Sequence, residues 1–68
     1  MRVRELLRKI KAQGWFLLEH GTEHDHWTHE LIDGYVPIIR RYSEEVSAGI
    51  EHRVKKLMRE IEKKKRGK

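Results

Sequence analysis

Two amphipathic segments, one near each end of the chain, limit the folds that this sequence can adopt. In both segments apolar residues recur at the spacing i, i+3, i+4 and i+7, which gathers them on one face of a helix. They are Val3, Leu6, Leu7 and Ile10, and then Ile50, Val54, Leu57, Met58 and Ile61. The first stripe predicts a helix over residues 2–13, which Gly14 ends. The second predicts a helix from an N-cap at Ser47 to about Lys63.

The segment between the helices predicts three short strands. Residues 15–20, WFLLEH, are apolar and aromatic and follow the helix stop directly. A turn at Gly21-Thr22 precedes a second strand over residues 24–29. The pair Asp33-Gly34 is a strong hairpin signal, and residues 35–39 form the third strand. Pro37 cannot donate a ladder hydrogen bond, so the third strand is predicted to be an edge strand or to be bulged.

The order of these elements predicts an α+β fold, α-β-β-β-α, in a single small domain. The chain has 68 residues, which allows one domain. Both helices have one apolar face, so both are predicted to pack on one face of a three-stranded antiparallel sheet and to leave the other face open. Residues 40–46 connect the sheet to the second helix. The domain is predicted to span residues 1–63, and the basic tail, residues 64–68, to be disordered.

Charge and cysteine content narrow the functional classes. The net charge is +5, but the last six residues, KKKRGK, carry five positive charges, so charge alone is weak support for a polyanionic partner. There is no Cys, which excludes disulfides and thiolate chemistry. No apolar run approaches the roughly 20 residues that span a bilayer, and the N-terminus is too charged for a signal peptide. We therefore expect a soluble, cytoplasmic protein without a membrane partner.

Four of the five histidines lie within residues 20–29, HGTEHDHWTH. A zinc site is one interpretation, but the spacing lacks Cys pairs and a metal-binding helix motif, so no metal is predicted. A second interpretation is acid–base catalysis of RNA cleavage, in which an imidazole takes the proton of the ribose 2′-hydroxyl and nearby Arg or Lys side chains hold the phosphate. The third is a solvated polar strand. If the strand is regular, His24, His26 and Thr28 share one face, whereas Asp25, Trp27 and His29 share the other.

The order of several short motifs resembles the HicA family of toxins. The segment Gly21 to Trp27, GTEHDHW, resembles the family's turn-strand signature, and Gly14-Trp15 fits the end of its first helix. Downstream, VPII at residues 36–39 and RYSEEV at residues 41–46 resemble its third strand and the approach to its last helix. Tyr42 stands where the family often has a second histidine. The resemblance extends over roughly residues 3–60.

This resemblance implies a fold like the double-stranded RNA-binding domain and a function as an mRNA interferase. Such toxins belong to type II toxin–antitoxin pairs, in which a HicB antitoxin covers the active site. The family's catalytic histidine falls on His24. The resemblance thus implies a metal-independent endoribonuclease without a cofactor, whose partners are mRNA and a HicB-like antitoxin.

The remaining site residues are expected to contact RNA. Those predicted to do so are Thr22, His26, Arg40, Arg41, Lys9 and Lys11. Trp15 and Trp27 could stack on bases, but aromatics of a small sheet are more often part of the core. Two other functions stay open: a non-catalytic RNA-binding module of the same fold, and a protein-interaction domain that receives a partner on its open sheet or edge strand.

Overall fold

The computed structural model describes residues 1–67 and has the predicted element order α-β-β-β-α. The elements are α1, Val3–Gln13; β1, Phe16–His20; β2, His24–Thr28; β3, Val36–Ile39; and α2, Ala48–Arg66. Three strands form one antiparallel sheet in the order β1-β2-β3. The predicted α+β class is therefore confirmed. No helix within residues 1–67 combines the length and the apolar character needed to cross a membrane.

The end of α1 is fixed by Gly14. This residue has φ +103°, a left-handed conformation that glycine adopts without the steric penalty of a Cβ. The Gly14 N–H donates to the Lys11 carbonyl and the Trp15 N–H donates to the Ile10 carbonyl, both at 3.0 Å. These two bonds satisfy carbonyls at the helix end and turn the chain into β1.

The core lies between the helices and one face of the sheet. Both predicted apolar stripes point into it: α1 buries all four of its stripe residues, and α2 buries Val54 and Ile61. The sheet contributes Trp27, Val36 and Ile38, which are also buried. Trp15 is 4% exposed and joins the same cluster, so the expectation that both tryptophans belong to the core is confirmed.

The sheet has one irregularity, a bulge in β1. Phe16 and Leu17 pair with Thr28 and Trp27, but after Leu18 the register shifts by one residue. Glu19 then pairs with His26, and His20 pairs with Asp25. On the other side of β2, β3 is an edge strand, as Pro37 predicted.

The connection after β3 is fixed against the start of α1. The Val3 N–H donates to the Glu44 carbonyl at 2.9 Å, and the Arg4 N–H donates to the Tyr42 carbonyl at 3.1 Å. Two of the first backbone donors of the helix, which have no partner inside it, are satisfied in this way. The contacts hold Tyr42 beside Arg4.

The second helix begins as predicted and ends later than predicted. The Ser47 hydroxyl accepts from the Ile50 N–H, as expected of an N-cap. The helix continues through Arg66, so the expectation of a disordered tail is wrong for residues 64–66, while Lys68 lies outside the described residues. Basic side chains favour a helix C-terminus, and Lys64 and Lys65 each donate to a backbone carbonyl, of Leu31 and Gln13 respectively.

Candidate functional site

His24 begins β2 at the tip of the β1–β2 hairpin. It pairs with Ile39, and its side chain lies on the sheet face opposite Asp25 and the helices, which we call the outer face. The Gly21 N–H donates to the His24 carbonyl at 2.8 Å and closes the hairpin. The imidazole is exposed and forms no hydrogen bond with residues 1–67. Both ring nitrogens are therefore free to exchange a proton with a ligand.

His26 lies on the same face two residues further along β2, as predicted. Its ring stacks on Tyr35, with centroids 4.2 Å apart and an interplanar angle of 23°. Its Nδ1 lies 3.1 Å from Glu19 Oε1. An ionised carboxylate can only accept, so Nδ1–H donates and Nε2 remains available. His26 is thus held more firmly than His24 and can assist it from the neighbouring position.

A pocket beside β3 contains both imidazoles. The sheet contributes His24, His26, Pro37, Ile38 and Ile39, and the remaining lining comes from Val3, Glu44, Glu45, Val46, Ser47 and Ile50. The two glutamates place carboxylates at its rim. No Lys or Arg is among these lining residues, all of which lie in the described part of the chain. Each of these carboxylates lies beside a cation: Glu45 Oε1 is 3.0 Å from the N-terminal ammonium, and Glu44 Oε2 is 3.4 Å from Arg41 Nη1. The pocket is therefore apolar with a charge-paired rim.

Arg40, predicted to hold a phosphate near His24, lies on the other face of the sheet. It follows Ile39, and the alternation of strand side chains points it to the helix side. Its Nη1 donates to Asp25 Oδ1 at 2.8 Å, and its Nη2 donates to the Thr22 carbonyl. Two of the predicted RNA contacts, Arg40 and Thr22, are therefore bonded to each other.

The other predicted RNA contacts, apart from His26, lie outside the lining of the His24 pocket. Arg41 is exposed and lies 3.4 Å from Glu44. Lys11 lies over the Trp27 ring, with its Nζ 5.5 Å from the ring centroid, on the helix side. Lys9 lies in a groove between α1 and α2, beside Met58 and Arg59. Of the predicted RNA-contacting residues, only His26 shares the pocket with His24.

Asp25, His20 and Arg40 form a charged cluster that the sequence reasoning did not identify. Asp25 is 6% exposed, and its Oδ1 accepts from His20 Nδ1 and from Arg40 Nη1, both at 2.8 Å. Because Nδ1 carries the proton, the neutral ring presents the lone pair of Nε2, and 67% of the His20 side chain is exposed. The signal was present in the tight turn, since pairing Gly21 with His24 places His20 opposite Asp25.

The electrostatics of this cluster keep Asp25 ionised. Burial alone would raise the pKa of the carboxyl group. The hydrogen bonds from His20 and Arg40, with the Arg40 charge, outweigh burial, and the net result is a pKa below the usual range. Asp25 therefore orients its neighbours and does not donate a proton.

His29 is a structural histidine. It is 4% exposed; its Nδ1 accepts from the Leu31 N–H at 3.0 Å, and its Nε2–H donates to the Gln13 carbonyl at 3.2 Å. Both ring nitrogens are used, which ties the loop after β2 to the end of α1. Within residues 1–67, no group of three or more His, Asp or Glu side chains is arranged to hold a metal ion.

Comparisons with known proteins identify no relative of this chain. The chain matches no protein-family model, no curated protein and no solved structure. Any functional conclusion therefore rests on the residues and contacts described above, together with the motif resemblance.

Proposed function

We propose that this chain is a metal-independent endoribonuclease of the HicA type, the toxin of a type II toxin–antitoxin pair acting in the cytoplasm. The observation that carries the proposal is the exposed imidazole of His24, which forms no hydrogen bond within residues 1–67 and lies at a hairpin tip that the backbone holds in place. The α-β-β-β-α order and the HicA-like motif around His24 support the same function.

The chemistry follows from the position of the two outer-face histidines. His24 would remove the proton of a ribose 2′-hydroxyl, whose oxygen then attacks the adjacent phosphorus. A 2′-O–P bond forms, the P–O5′ bond breaks, and the 5′ oxygen takes a proton from water or from the Nε2–H of a protonated His26. The products are a 2′,3′-cyclic phosphate and a 5′-hydroxyl. DNA lacks the 2′-hydroxyl, so the reaction is specific to RNA.

The pocket beside β3 also supports a protein partner. Pro37, Ile39, Val46 and Ile50 give it an apolar lining at an edge strand, which is a surface that proteins commonly cover. A HicB-like antitoxin that docks here would cover His24 and block access of RNA.

A cleavage assay with two histidine variants tests the enzyme hypothesis. Wild type, His24→Ala and His52→Ala are incubated with a mixed-sequence RNA in EDTA. His52 is exposed on α2 and lies far from the hairpin in sequence, so it is a matched control. We expect wild type and His52→Ala to cut equally and His24→Ala to lose about a hundredfold or more in rate. Cutting by all three proteins would show that His24 is not catalytic. Cutting by none of them would refute the proposal that the protein is an endoribonuclease.

A second function, RNA binding without cleavage, is favoured by one observation. Among the described residues, no Lys or Arg lines the His24 pocket, and the predicted phosphate contacts Arg40, Lys9 and Lys11 lie elsewhere. If the wild type binds RNA and does not cut it, the chain is a binding module. If it neither binds nor cuts, a protein-interaction domain is the remaining function.

A further inference from the structure

A row of cations on α1 lies outside the lining of the His24 pocket. Arg4, Arg8 and Lys11 occupy positions i, i+4 and i+7, so they lie along one face of the helix. Together with Leu7, Trp27 and Tyr42 they line a groove between α1 and β2, which we call the α1 groove. Its lining contains three positive side chains and no carboxylate. Within residues 1–67, Arg4, Arg8 and Lys11 form no ion pair.

We propose that the α1 groove binds the phosphate backbone of single-stranded RNA. The choice of RNA as the ligand rests on the proposed function, but the site is distinct from His24. The row from Arg4 to Lys11 covers about 10 Å along the helix axis. The three cations of the row can each contact one phosphate of a strand that follows the groove.

The aromatic residues of the groove favour a nucleic acid over an acidic protein. Tyr42 is 50% exposed, and its backbone is fixed by the bond from the Arg4 N–H, so its ring is available beside a cation. Alternating cations and exposed aromatic rings are typical of single-strand binding, because every base can stack on a ring. Trp27 is only 9% exposed and lies under Lys11, so it forms the floor of the groove and does not stack on a base.

A second basic surface on the molecule is less suited to this ligand. It lies between α1 and α2, and its cations are Lys9, Arg59, Lys63, Lys65 and Arg66. Glu62 contributes a carboxylate to it, and the surface is at the C-terminal half of α2, where the helix dipole is unfavourable for anions. None of the described residues that line it is aromatic. The pair Arg59 and Lys63 is one helical turn apart, as Arg4 and Arg8 are, so it provides a matched control.

The test measures affinity for a fluorescent single-stranded RNA with 2′-O-methyl groups, which the wild-type protein cannot cut. The two double variants are Arg4→Ala/Arg8→Ala and Arg59→Ala/Lys63→Ala. Each phosphate contact to a single strand contributes about 0.7 to the slope of log affinity against log salt. We expect Arg4→Ala/Arg8→Ala to lower this slope by about 1.4. The affinity ratio of wild type to this variant should therefore be about 25 times larger at 0.1 M salt than at 1 M salt. The control variant should stay within about threefold of wild type. Tyr42→Ala should weaken binding about tenfold with little change in slope.

Three results would overturn the proposal. One is an unchanged salt slope in Arg4→Ala/Arg8→Ala, with circular dichroism showing a folded protein. Another is an equal loss of RNA affinity in the Arg59→Ala/Lys63→Ala control, which would show that the effect comes from the overall charge of the protein. The third is competition by polyglutamate as effective as competition by unlabelled RNA, which would assign the groove to an acidic protein.

Failure of this inference and failure of the proposed function have different signatures. If His24-dependent cleavage is observed and the groove variants bind RNA normally, the α1 groove is not the RNA site, but the endoribonuclease proposal is supported. If the groove variants lose binding and no protein cuts unmodified RNA, RNA binding by the α1 groove is supported and the endoribonuclease proposal is refuted.

Discussion

Replacing Gly21 by Ala tests the claim that a close backbone approach positions His24. A Cβ at Gly21 would lie 2.5 Å from the His24 carbonyl oxygen, and that oxygen also accepts from the Gly21 N–H at 2.8 Å. Both groups belong to the backbone, so no side chain can rotate to relieve the contact. The hairpin has to open, and the hydrogen bond has to lengthen or break.

The cost follows from these two effects. A backbone hydrogen bond that is lost contributes about 1 kcal/mol, and residual strain in the turn adds about 1–2 kcal/mol. We therefore expect Gly21→Ala to lower the free energy of unfolding by about 2–3 kcal/mol. In a domain of this size, each 1 kcal/mol shifts the melting temperature by about 4–8 °C, so the decrease should be at least about 8 °C. Because the turn carries His24, RNA cleavage should fall as well.

Gly49→Ala is the control. Gly49 lies in the first turn of α2, and nothing lies within 4 Å of the position that its Cβ would take. Alanine favours a helix over glycine by about 0.5–1 kcal/mol, so this variant should melt at the same temperature as wild type or a few degrees higher. Thermal unfolding followed by circular dichroism compares the two. A Gly21→Ala protein that melts with the wild type would refute the close approach.

Three further predictions concern stability. Ile61 is fully buried, so Ile61→Ala should lower the free energy of unfolding by about 2–5 kcal/mol in urea titration, whereas Lys56→Ala on the exposed surface of α2 should change it by less than about 0.5 kcal/mol. Ser47→Ala removes the N-cap of α2 and should lower it by about 1 kcal/mol; Ser47→Asp should restore most of the loss. Because the pKa of Asp25 is below its unfolded value, the ionised carboxylate stabilises the fold at neutral pH, and this contribution is lost as the pH falls below about 4 and through the folded pKa. The melting-temperature difference between wild type and Asp25→Asn should therefore shrink from pH 7 to pH 3, and a difference independent of pH would contradict the ion pair with Arg40 and the hydrogen bond from His20.

The helices could be predicted from the sequence because their apolar spacing is regular and their ends carry local signals. Val3, Leu6, Leu7 and Ile10 are buried as their spacing predicted, and Gly14 and Ser47 bound the helices as expected. The end of α2 could not be placed, because a basic run has no apolar pattern and its helicity depends on contacts such as that of Lys64 with the Leu31 carbonyl.

The candidate site could be predicted only where one strand determined it. His24 and His26 share a face because they are two residues apart, and the structure places both in one pocket. The position of Arg40 depends on where β3 ends and on which side the next residue points. The sequence alone did not show on which face of the sheet Arg40 lies. Arg40 was expected beside His24, but its side chain lies beside Asp25.

The bulge at Leu18 explains why His20 and not Glu19 lies beside Asp25. If the register that pairs Leu17 with Trp27 continued, Glu19 would pair with Asp25 and His20 with His24. Two carboxylates would then lie side by side on a half-buried face, and two imidazoles on the other. With the bulge, each pair joins an imidazole to a carboxylate: His20 with Asp25 at 2.8 Å and His26 with Glu19 at 3.1 Å. The same shift leaves His24 opposite Gly21, which has no side chain, so the irregular strand is what keeps the His24 imidazole free of a cross-strand side-chain partner.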